Sequence, residues 1–189
     1  TEESYKTGKP AAAYFILAPS LRGQEDQDKL WQALRSAGIS TIATDHCPYT
    51  IEQKTKGGDD FRAIPGGAGG IETSLPLIYT YGVVSKKINI GQMVALMSAN
   101  PAKLFNLYPR KGVIAEGSDA DLVIYDPGGR SNIDASKLHS NSDHSLYQGL
   151  EVAGRVETTI LRGNPIIESG RLVDQEPSGE LLLRPCYPD

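Results

Sequence analysis

The feature that most constrains the fold is a strand–helix–strand pattern within the first 44 residues. Residues 11–18 form a continuous apolar run that Pro19 ends, which is typical of a strand buried on both faces of a parallel sheet. Residues 24–37 have the apolar periodicity of an amphipathic helix. Residues 39–44 are short and rich in β-branched side chains, so they predict a second strand. Together these segments form a βαβ unit, which predicts a parallel sheet and an α/β fold.

Further along the chain, the sequence predicts two more helices with recognisable ends. Gly38 follows the first helix at the position of a C-terminal cap. A second helix is predicted over 72–84 and a third over 90–99, where Asn89 is the cap and Gln92 completes a capping box. The apolar faces expected to pack inward are Leu30, Trp31 and Leu34 in the first helix, and Met93, Leu96 and Met97 in the third.

The second half of the chain has the pattern of antiparallel β structure. Residues 121–125 predict a strand, and residues 155–162 alternate between their two faces as a strand does. Gly163-Asn164 is a turn signal, after which Ile166-Ile167 begins a return strand. We therefore predict a join between an α/β part and a β part near residues 107–118.

The composition of the 189 residues excludes several classes of function. A net charge of −4 and a pI near 5.4 leave no basic surplus for a phosphate backbone, so we expect no nucleic acid partner. The apolar runs are too short for a membrane span, so no membrane partner is expected. Cys47 and Cys186 do not form a disulfide framework, which indicates a reducing, cytoplasmic setting, and Cys186 is expected to be inert. Because residue 1 is Thr, we expect a fragment or a processed product.

The densest group of candidate catalytic and metal-binding side chains is Asp45-His46-Cys47. It follows the predicted strand over 39–44, at the end where barrel and doubly wound enzymes place catalytic groups. The alternative is structural, with Asp45 in a turn, His46 a satisfied polar residue and Cys47 a small core residue. His139 and His144 are five residues apart, which fits one face of neither a helix nor a strand, and they are expected in a surface loop.

A long glycine-rich loop follows this motif. Residues 50–70 end in a stretch with glycine at four of five positions, 66–70. The stretch lacks the Gly-Lys-Ser/Thr ending of a phosphate loop and the spacing of a dinucleotide-binding turn, so we reject a nucleotide site. The remaining interpretations are a bare backbone lying close to a ligand and a flexible lid hinge.

The segment Thr44-Asp45-His46-Cys47 resembles the (S/T)-D-H-C segment of hydantoinases and dihydropyrimidinases. These enzymes form the cyclic-amide branch of the amidohydrolase superfamily. Further segments resemble the family in the same order along the chain, namely residues 17–22, 59–65, 100–112 and 117–123. The resemblance therefore extends over almost the whole sequence.

The resemblance implies a particular fold and division into domains. The expected fold class is α/β, with the last two βα units of a (β/α)8 TIM-type barrel followed by the C-terminal strands of a small β-sandwich domain. Residues 1–107 would belong to the barrel, and residues 108–189 to the β-sandwich and a tail. The family's H-x-H metal ligands occur nowhere in this sequence.

The resemblance also implies a chemistry and its residues. The family uses two divalent metal ions, of which zinc is the expected one, to supply a hydroxide that opens a hydantoin or dihydropyrimidine ring to an N-carbamoyl amino acid. Asp45 matches the family's last metal ligand and its acid–base catalyst. Ala18 and Gly66 match positions whose backbones bind the ring amide. Since Asp45 is the one matched ligand, this chain alone is expected to be inactive.

Several alternatives remain at this point. Residues 70–77 resemble dihydroorotases, so a dihydroorotase- or allantoinase-type substrate is one of them. A non-catalytic dihydropyrimidinase-related scaffold is another, although such scaffolds tend to lose the metal aspartate that Asp45 matches. A complete binding module is disfavoured, because two parallel strands cannot close a barrel. The expected partner is a small cyclic amide, and the expected assembly is a homotetramer.

Overall fold

The computed structural model describes residues 1–8, 10–173 and 176–183. Helices occupy the first part of the chain and a four-stranded sheet follows them. The α-helices are α1 (Gln24–Arg35), α2 (Ile51–Thr55), α3 (Ser74–Ile78), α4 (Ile90–Val94) and α5 (Asn100–Leu104). Single 3-10 segments lie at Glu2–Thr7, Ala11–Phe15, Phe61–Ala63 and Ala135–Lys137. The π-helical segments are Tyr79–Val84, after α3, and Ala95–Ala99, between α4 and α5.

The predicted strand over 11–18 is wrong. Ala11–Phe15 is a 3-10 helix, and the chain becomes extended only at Ile16. The run begins with three alanines, which favour helical over extended backbone. No described segment offers this run a strand ladder that could outweigh that preference.

The predicted strand over 39–44 is neither helix nor paired strand among the described residues. It is held by the helix 90–104 instead, because Ile42 N donates to Leu96 O at 3.0 Å and Asn100 Nδ2 donates to Ser40 O at 2.8 Å. Parallel pairing in the described part is limited to one bridge between His46 and Ala68. The parallel sheet expected from the βαβ pattern is therefore not formed within these residues.

The predicted helices are confirmed, with one correction at the end of α1. The second helix runs over 74–84, and the third begins with the predicted capping box of Asn89 and Gln92. At the end of α1 the residue in the left-handed conformation is Ala37, with φ 59°, and Gly38 is the next residue. The described helices include none that is long and apolar enough to cross a membrane.

A small apolar core lies between these helices. Its buried centre is Ile88, Met93 and Leu96. The predicted inward residues Trp31, Leu34 and Met97 pack against it, together with Ile42, Leu75, Ile78, Tyr79 and Val83. The prediction that Leu30 packs inward is wrong, since this residue is 54% exposed at the edge of the apolar stripe of α1.

The second half forms one antiparallel sheet, as the alternation predicted. Its strands, in spatial order, are β1 (Leu122–Asn132), β2 (Glu151–Leu161), β3 (Asn164–Glu168) and β4 (Arg171–Leu172). The β2–β3 turn contains Arg162 and Gly163, and both residues have positive φ. The predicted hairpin near residue 163 is thereby confirmed, and each strand pairs with its neighbour along the chain.

Hydroxyl groups connect the sheet to the helix 74–84. The buried Thr80 Oγ1 donates to Pro76 O at 2.6 Å and accepts from Ala153 N of β2 at 2.9 Å. Tyr125 of β1 donates to Ala153 O at 2.6 Å, and its ring centroid lies 4.9 Å from that of Tyr79. Burial raises the pKa of Tyr125 to about 12, and Tyr79 adds to this increase, so the hydroxyl stays a donor at all ordinary pH values.

Replacing Thr80 by Val removes the hydroxyl while keeping the side-chain shape. The buried amide of Ala153 then loses its acceptor, and we expect a destabilisation of about 1–3 kcal/mol. Thr80→Ser keeps the hydroxyl and serves as the control, with a much smaller loss expected. The thermal unfolding midpoints of the two variants in the full-length protein test this prediction, which fails if both variants lose stability equally.

Candidate functional site

Three chain segments meet around the glycine-rich stretch, and we call them the three-segment site: residues 16–18, 45–47 and 65–70. Gly67 N donates to Ile16 O at 3.3 Å, and Cys47 N donates to Ala68 O at 3.0 Å. The glycine stretch therefore lies between the other two segments and is hydrogen-bonded to both. The predicted substrate-contact residues are adjacent, because a Cβ added at Gly66 would be 3.4 Å from Ala18 N.

The backbone of the glycine stretch approaches the Asp-His-Cys motif too closely for a side chain at one position. A Cβ added at Gly67 would lie 2.8 Å from Cys47 O and 2.9 Å from Cys47 Cβ. Contacts this short are not tolerated between real atoms, so Gly67 must be a glycine for the two segments to meet. The bare backbone at Gly67 thus serves the packing against Cys47, and the predicted approach of this backbone to a ligand stays a prediction.

Asp45 directly follows residues 39–44 and has a left-handed backbone conformation. Its φ is 45°, in the left-handed region that aspartate enters more readily than most residues. The residue is exposed, and its carboxylate has no hydrogen-bond or ion-pair partner among the described residues. The left-handed conformation is compatible with the structural alternative of a turn residue, and the carboxylate without a described partner leaves both oxygens available to a ligand.

His46 has a structural partner for one ring nitrogen. Its Nδ1 accepts from Gly70 N at 3.0 Å and from Ile71 N at 3.2 Å. In this arrangement Nδ1 carries no proton and has no lone pair left for a metal. The structure thus favours the interpretation of His46 as a satisfied polar residue that fixes the end of the glycine stretch.

Lys54 is the residue that sequence reasoning missed in this region. It lies on α2, which starts with a capping box between Thr50 and Gln53, and it is completely buried. Its Nζ lies 5.5 Å from the centroid of the Tyr49 ring. Burial lowers the pKa of the Lys54 ammonium, while the electrostatic effect of Cys47 acts in the opposite direction. A lysine in a loop rich in Lys, Asp and Gly gives no sequence signal of burial.

Cys47 and Tyr49 complete the surroundings of Lys54. Cys47 Sγ and Tyr49 Oη are hydrogen-bonded at 3.5 Å. The pKa of Tyr49 is raised, mainly because its protonated hydroxyl can donate to the Cys47 sulfur and secondly by the electrostatic effect of Cys47. Cys47 is half-buried and lies outside the described apolar core, so the structural alternative of a small core residue is not met.

The loop that contains His139 and His144 packs against the three-segment site. His139 is exposed as predicted, and its Nδ1 lies 2.9 Å from Glu72 Oε1. The surface prediction is wrong for His144, whose side chain is 10% exposed and packs against Tyr14 at a ring-centroid distance of 5.0 Å. Burial is the main cause of its lowered pKa. Residue spacing alone could not reveal this contact with the N-terminal segment.

The described residues do not by themselves fit a two-metal centre. They contain no cluster of three or more His, Cys, Asp or Glu side chains that could hold a metal ion. Asp45 offers one carboxylate, whereas a stable zinc site needs three or four ligands. Any metal centre that uses Asp45 therefore requires further ligands from outside this part of the protein.

The sequence profile of the Amidohydrolase family matches residues 6–166, and the chain belongs to this family. Among curated proteins it is 38% identical over 188 residues to a D-hydantoinase from Ralstonia pickettii, covering 99% of this chain and 41% of that protein. It is 39% identical to a D-hydantoinase from Rhizobium radiobacter, covering 93% of this chain and 38% of that protein. The chain thus spans about two fifths of the length of these relatives.

Solved structures give the same result. A D-hydantoinase (dihydropyrimidinase) from Thermus sp. superimposes with a TM-score of 0.89 at 41% identity, covering 92% of this chain and 38% of that one. An L-hydantoinase (dihydropyrimidinase) from Arthrobacter aurescens superimposes with a TM-score of 0.85 at 35% identity, covering 93% of this chain and 38% of that one. The resemblance to hydantoinases and dihydropyrimidinases is confirmed, and the roles of Asp45, Ala18 and Gly66 remain predictions.

Proposed function

We propose that the full-length protein containing this chain hydrolyses cyclic amides, opening a hydantoin or dihydropyrimidine ring to an N-carbamoyl amino acid. The observation that carries this proposal is the identity of 38–39% to proteins named D-hydantoinase over nearly the whole chain. These names favour hydantoin-type rings over the dihydroorotate and allantoin alternatives.

In this proposal residues 1–107 belong to the last two βα units of a (β/α)8 barrel, and residues 108–189 belong to a β-sandwich. The change from helices to antiparallel strands between α5 and β1 supports this division. The absence of strand pairing over 39–44 is also compatible with it, because a barrel strand needs neighbours that the described residues do not provide. The proposed assembly is a homotetramer in the cytoplasm.

Asp45 is the proposed catalytic residue of this chain. Its free, exposed carboxylate can accept a proton from the attacking water and deliver it to the leaving ring nitrogen. The water oxygen forms a bond to the ring carbonyl carbon, and the carbon–nitrogen bond of the ring breaks. The proposed cofactor is a pair of divalent metal ions, zinc first, for which Asp45 supplies one ligand and other parts of the protein supply the rest.

The proposed substrate contacts are the backbones at Ala18 and Gly66. Their close approach across the three-segment site supports this assignment. Backbone amide and carbonyl groups can pair with the N–H and C=O of a ring amide whatever the side chain is. A contact of this kind tolerates alanine and glycine at these positions.

An assay of the purified full-length protein tests this proposal. Hydantoin, dihydrouracil, dihydroorotate and allantoin would be offered separately, with and without added zinc or manganese, and ring opening followed by loss of ultraviolet absorbance. We expect hydantoin or dihydrouracil to be opened, with activity lost to a chelator and recovered with metal. Absence of ring opening with all four substrates in the metal-loaded protein would favour the scaffold alternative instead.

The isolated chain of residues 1–189 provides a second expected result. It should neither open any of these rings nor retain zinc through dialysis, because Asp45 is the one matched ligand and the described residues contain no cluster of three or more possible metal ligands. Zinc retained at a stoichiometry of one or two per chain would contradict this expectation.

A further inference from the structure

A buried cation lies between two of the three segments of the site. Lys54 faces inward from α2, and its side chain is 0% exposed, whereas Lys56 at the end of the same helix is exposed. Lysine is almost never fully buried unless its ammonium has partners. The partners of Lys54 therefore indicate what the residue does.

The Lys54 ammonium bonds to backbone carbonyls of two separate segments. Its Nζ donates to Ile16 O and to Pro65 O, both at 2.8 Å. Ile16 O also accepts from Gly67 N at 3.3 Å. The Lys54 side chain and the Gly67 amide thus both bind Ile16 O, and Lys54 also binds Pro65 O, so the two segments are joined through Lys54 and directly.

The two carbonyls lie next to the proposed substrate-contact positions. Pro65 directly precedes Gly66, and Ile16 is two residues before Ala18. A displacement of either carbonyl would change the separation of the backbones at Gly66 and Ala18, which are so close that a Cβ added at Gly66 would lie 3.4 Å from Ala18 N. The ammonium has no described contact with Asp45, so its effect is expected on substrate binding more than on proton transfer.

We infer that Lys54 is a positioning residue for substrate binding, which holds residues 16–18 and 65–67 at the separation that a ring amide requires. The inference rests on the proposed function for its substrate. The tie between the two backbone segments is a property of this chain and can be measured independently of activity.

The test uses three variants of the full-length protein. Lys54→Met keeps the length of the side chain and removes both hydrogen bonds. Lys54→Arg keeps a positive charge and several donors, so it should restore part of what the methionine loses. Lys56→Met makes the same chemical change at the exposed lysine of the same helix and is the matched control.

Steady-state kinetics with hydantoin or dihydrouracil, whichever is opened faster, give the first measurement. For Lys54→Met we expect KM to rise about tenfold, as loss of one or two hydrogen bonds would produce. The kcat and the metal content should change by less than about threefold. Lys54→Arg should recover most of the KM change, and Lys56→Met should match the wild type.

Hydrogen exchange of the peptide spanning residues 64–70 gives the second measurement. Lys54→Met should exchange about tenfold faster there, and Lys56→Met should keep the wild-type rate. If Lys54→Met does not fold, Lys54→Gln takes its place. Its side chain is shorter and uncharged but keeps an NH2 donor group, so we expect changes in the same direction that are smaller.

Three outcomes decide the inference. Wild-type KM and wild-type exchange in Lys54→Met would overturn it. A rise in KM accompanied by equally large decreases in kcat and metal content, without rescue by Lys54→Arg, would also overturn it, because this pattern indicates general structural damage. If the wild-type protein opens none of the rings, the proposed function fails, and faster exchange in Lys54→Met alone would still support the tie between the two segments.

Discussion

Asp45→Asn is expected to reduce the proposed ring-opening activity of the full-length protein by about 10²–10⁴-fold, the usual contribution of general acid–base catalysis. Asparagine keeps the shape of the side chain and still offers one oxygen to a metal. It cannot take a proton from water or deliver one to the leaving nitrogen. Because Asp45 is exposed and has no described partner, the fold should be unaffected.

Cys47→Ala is the matched control for this variant. It changes the neighbouring side chain of the same motif, whose described hydrogen bond goes to Tyr49 alone. We expect its turnover to remain close to that of the wild type, with metal content measured for both variants. Near-normal turnover in metal-loaded Asp45→Asn would refute the proton-transfer role. A greater loss of turnover in Cys47→Ala than in Asp45→Asn would show that the catalytic role had been assigned to the wrong residue of the motif.

Gly154→Ala is expected to be the most destabilising single substitution in the sheet. Gly154 is buried in β2 with φ +73°, at an irregularity of the β1–β2 pairing. An added Cβ would lie 2.6 Å from both Asp126 O and Tyr125 Cε1. The left-handed backbone costs an alanine about 1–2 kcal/mol, and the overpacking adds about 1–3 kcal/mol.

Gly163→Ala separates these two contributions. Gly163 has a similar φ of +83°, but an added Cβ there meets nothing within 4 Å. Gly163→Ala should therefore lower the free energy of unfolding by about 1–2 kcal/mol, from backbone strain alone. The thermal unfolding midpoints of both variants in the full-length protein are the measurement, and equal decreases would show that the contact with β1 is not as tight as described.

Features governed by local sequence were predicted correctly. The capping box at Asn89 and Gln92 and the hairpin near Gly163 depend on residues a few positions apart, so the pattern contains the necessary information. The strand predicted over 155–162 lies within β2, but its pairing shifts register opposite Ile124 and Tyr125 and again between Thr159 and Ile160, so the predicted strict alternation is not maintained.

The errors concern features that depend on distant partners. A strand over 11–18 or 39–44 exists only if neighbouring strands supply hydrogen bonds, and the described residues do not supply them. His144 is buried against Tyr14, which lies far away in sequence, near the N-terminus. Cys186 lies outside the described residues, so the prediction that it is inert stays a prediction.

The candidate site was predicted in part. The motif identified Asp45, and the resemblance identified Ala18 and Gly66, which the fold brings side by side. Lys54 was not identified, because its burial results from two carbonyls contributed by segments on either side of it in sequence. Such a contact leaves no periodic pattern in the sequence.

The most direct test of the account is a crystal structure of the full-length protein with zinc and a slowly hydrolysed cyclic amide. The account predicts an Asp45 carboxylate oxygen about 2.0–2.2 Å from a zinc ion. It also predicts hydrogen bonds from the ring amide to the backbones at Ala18 and Gly66. A zinc site that excludes Asp45, or a ring bound away from these two backbones, would contradict it.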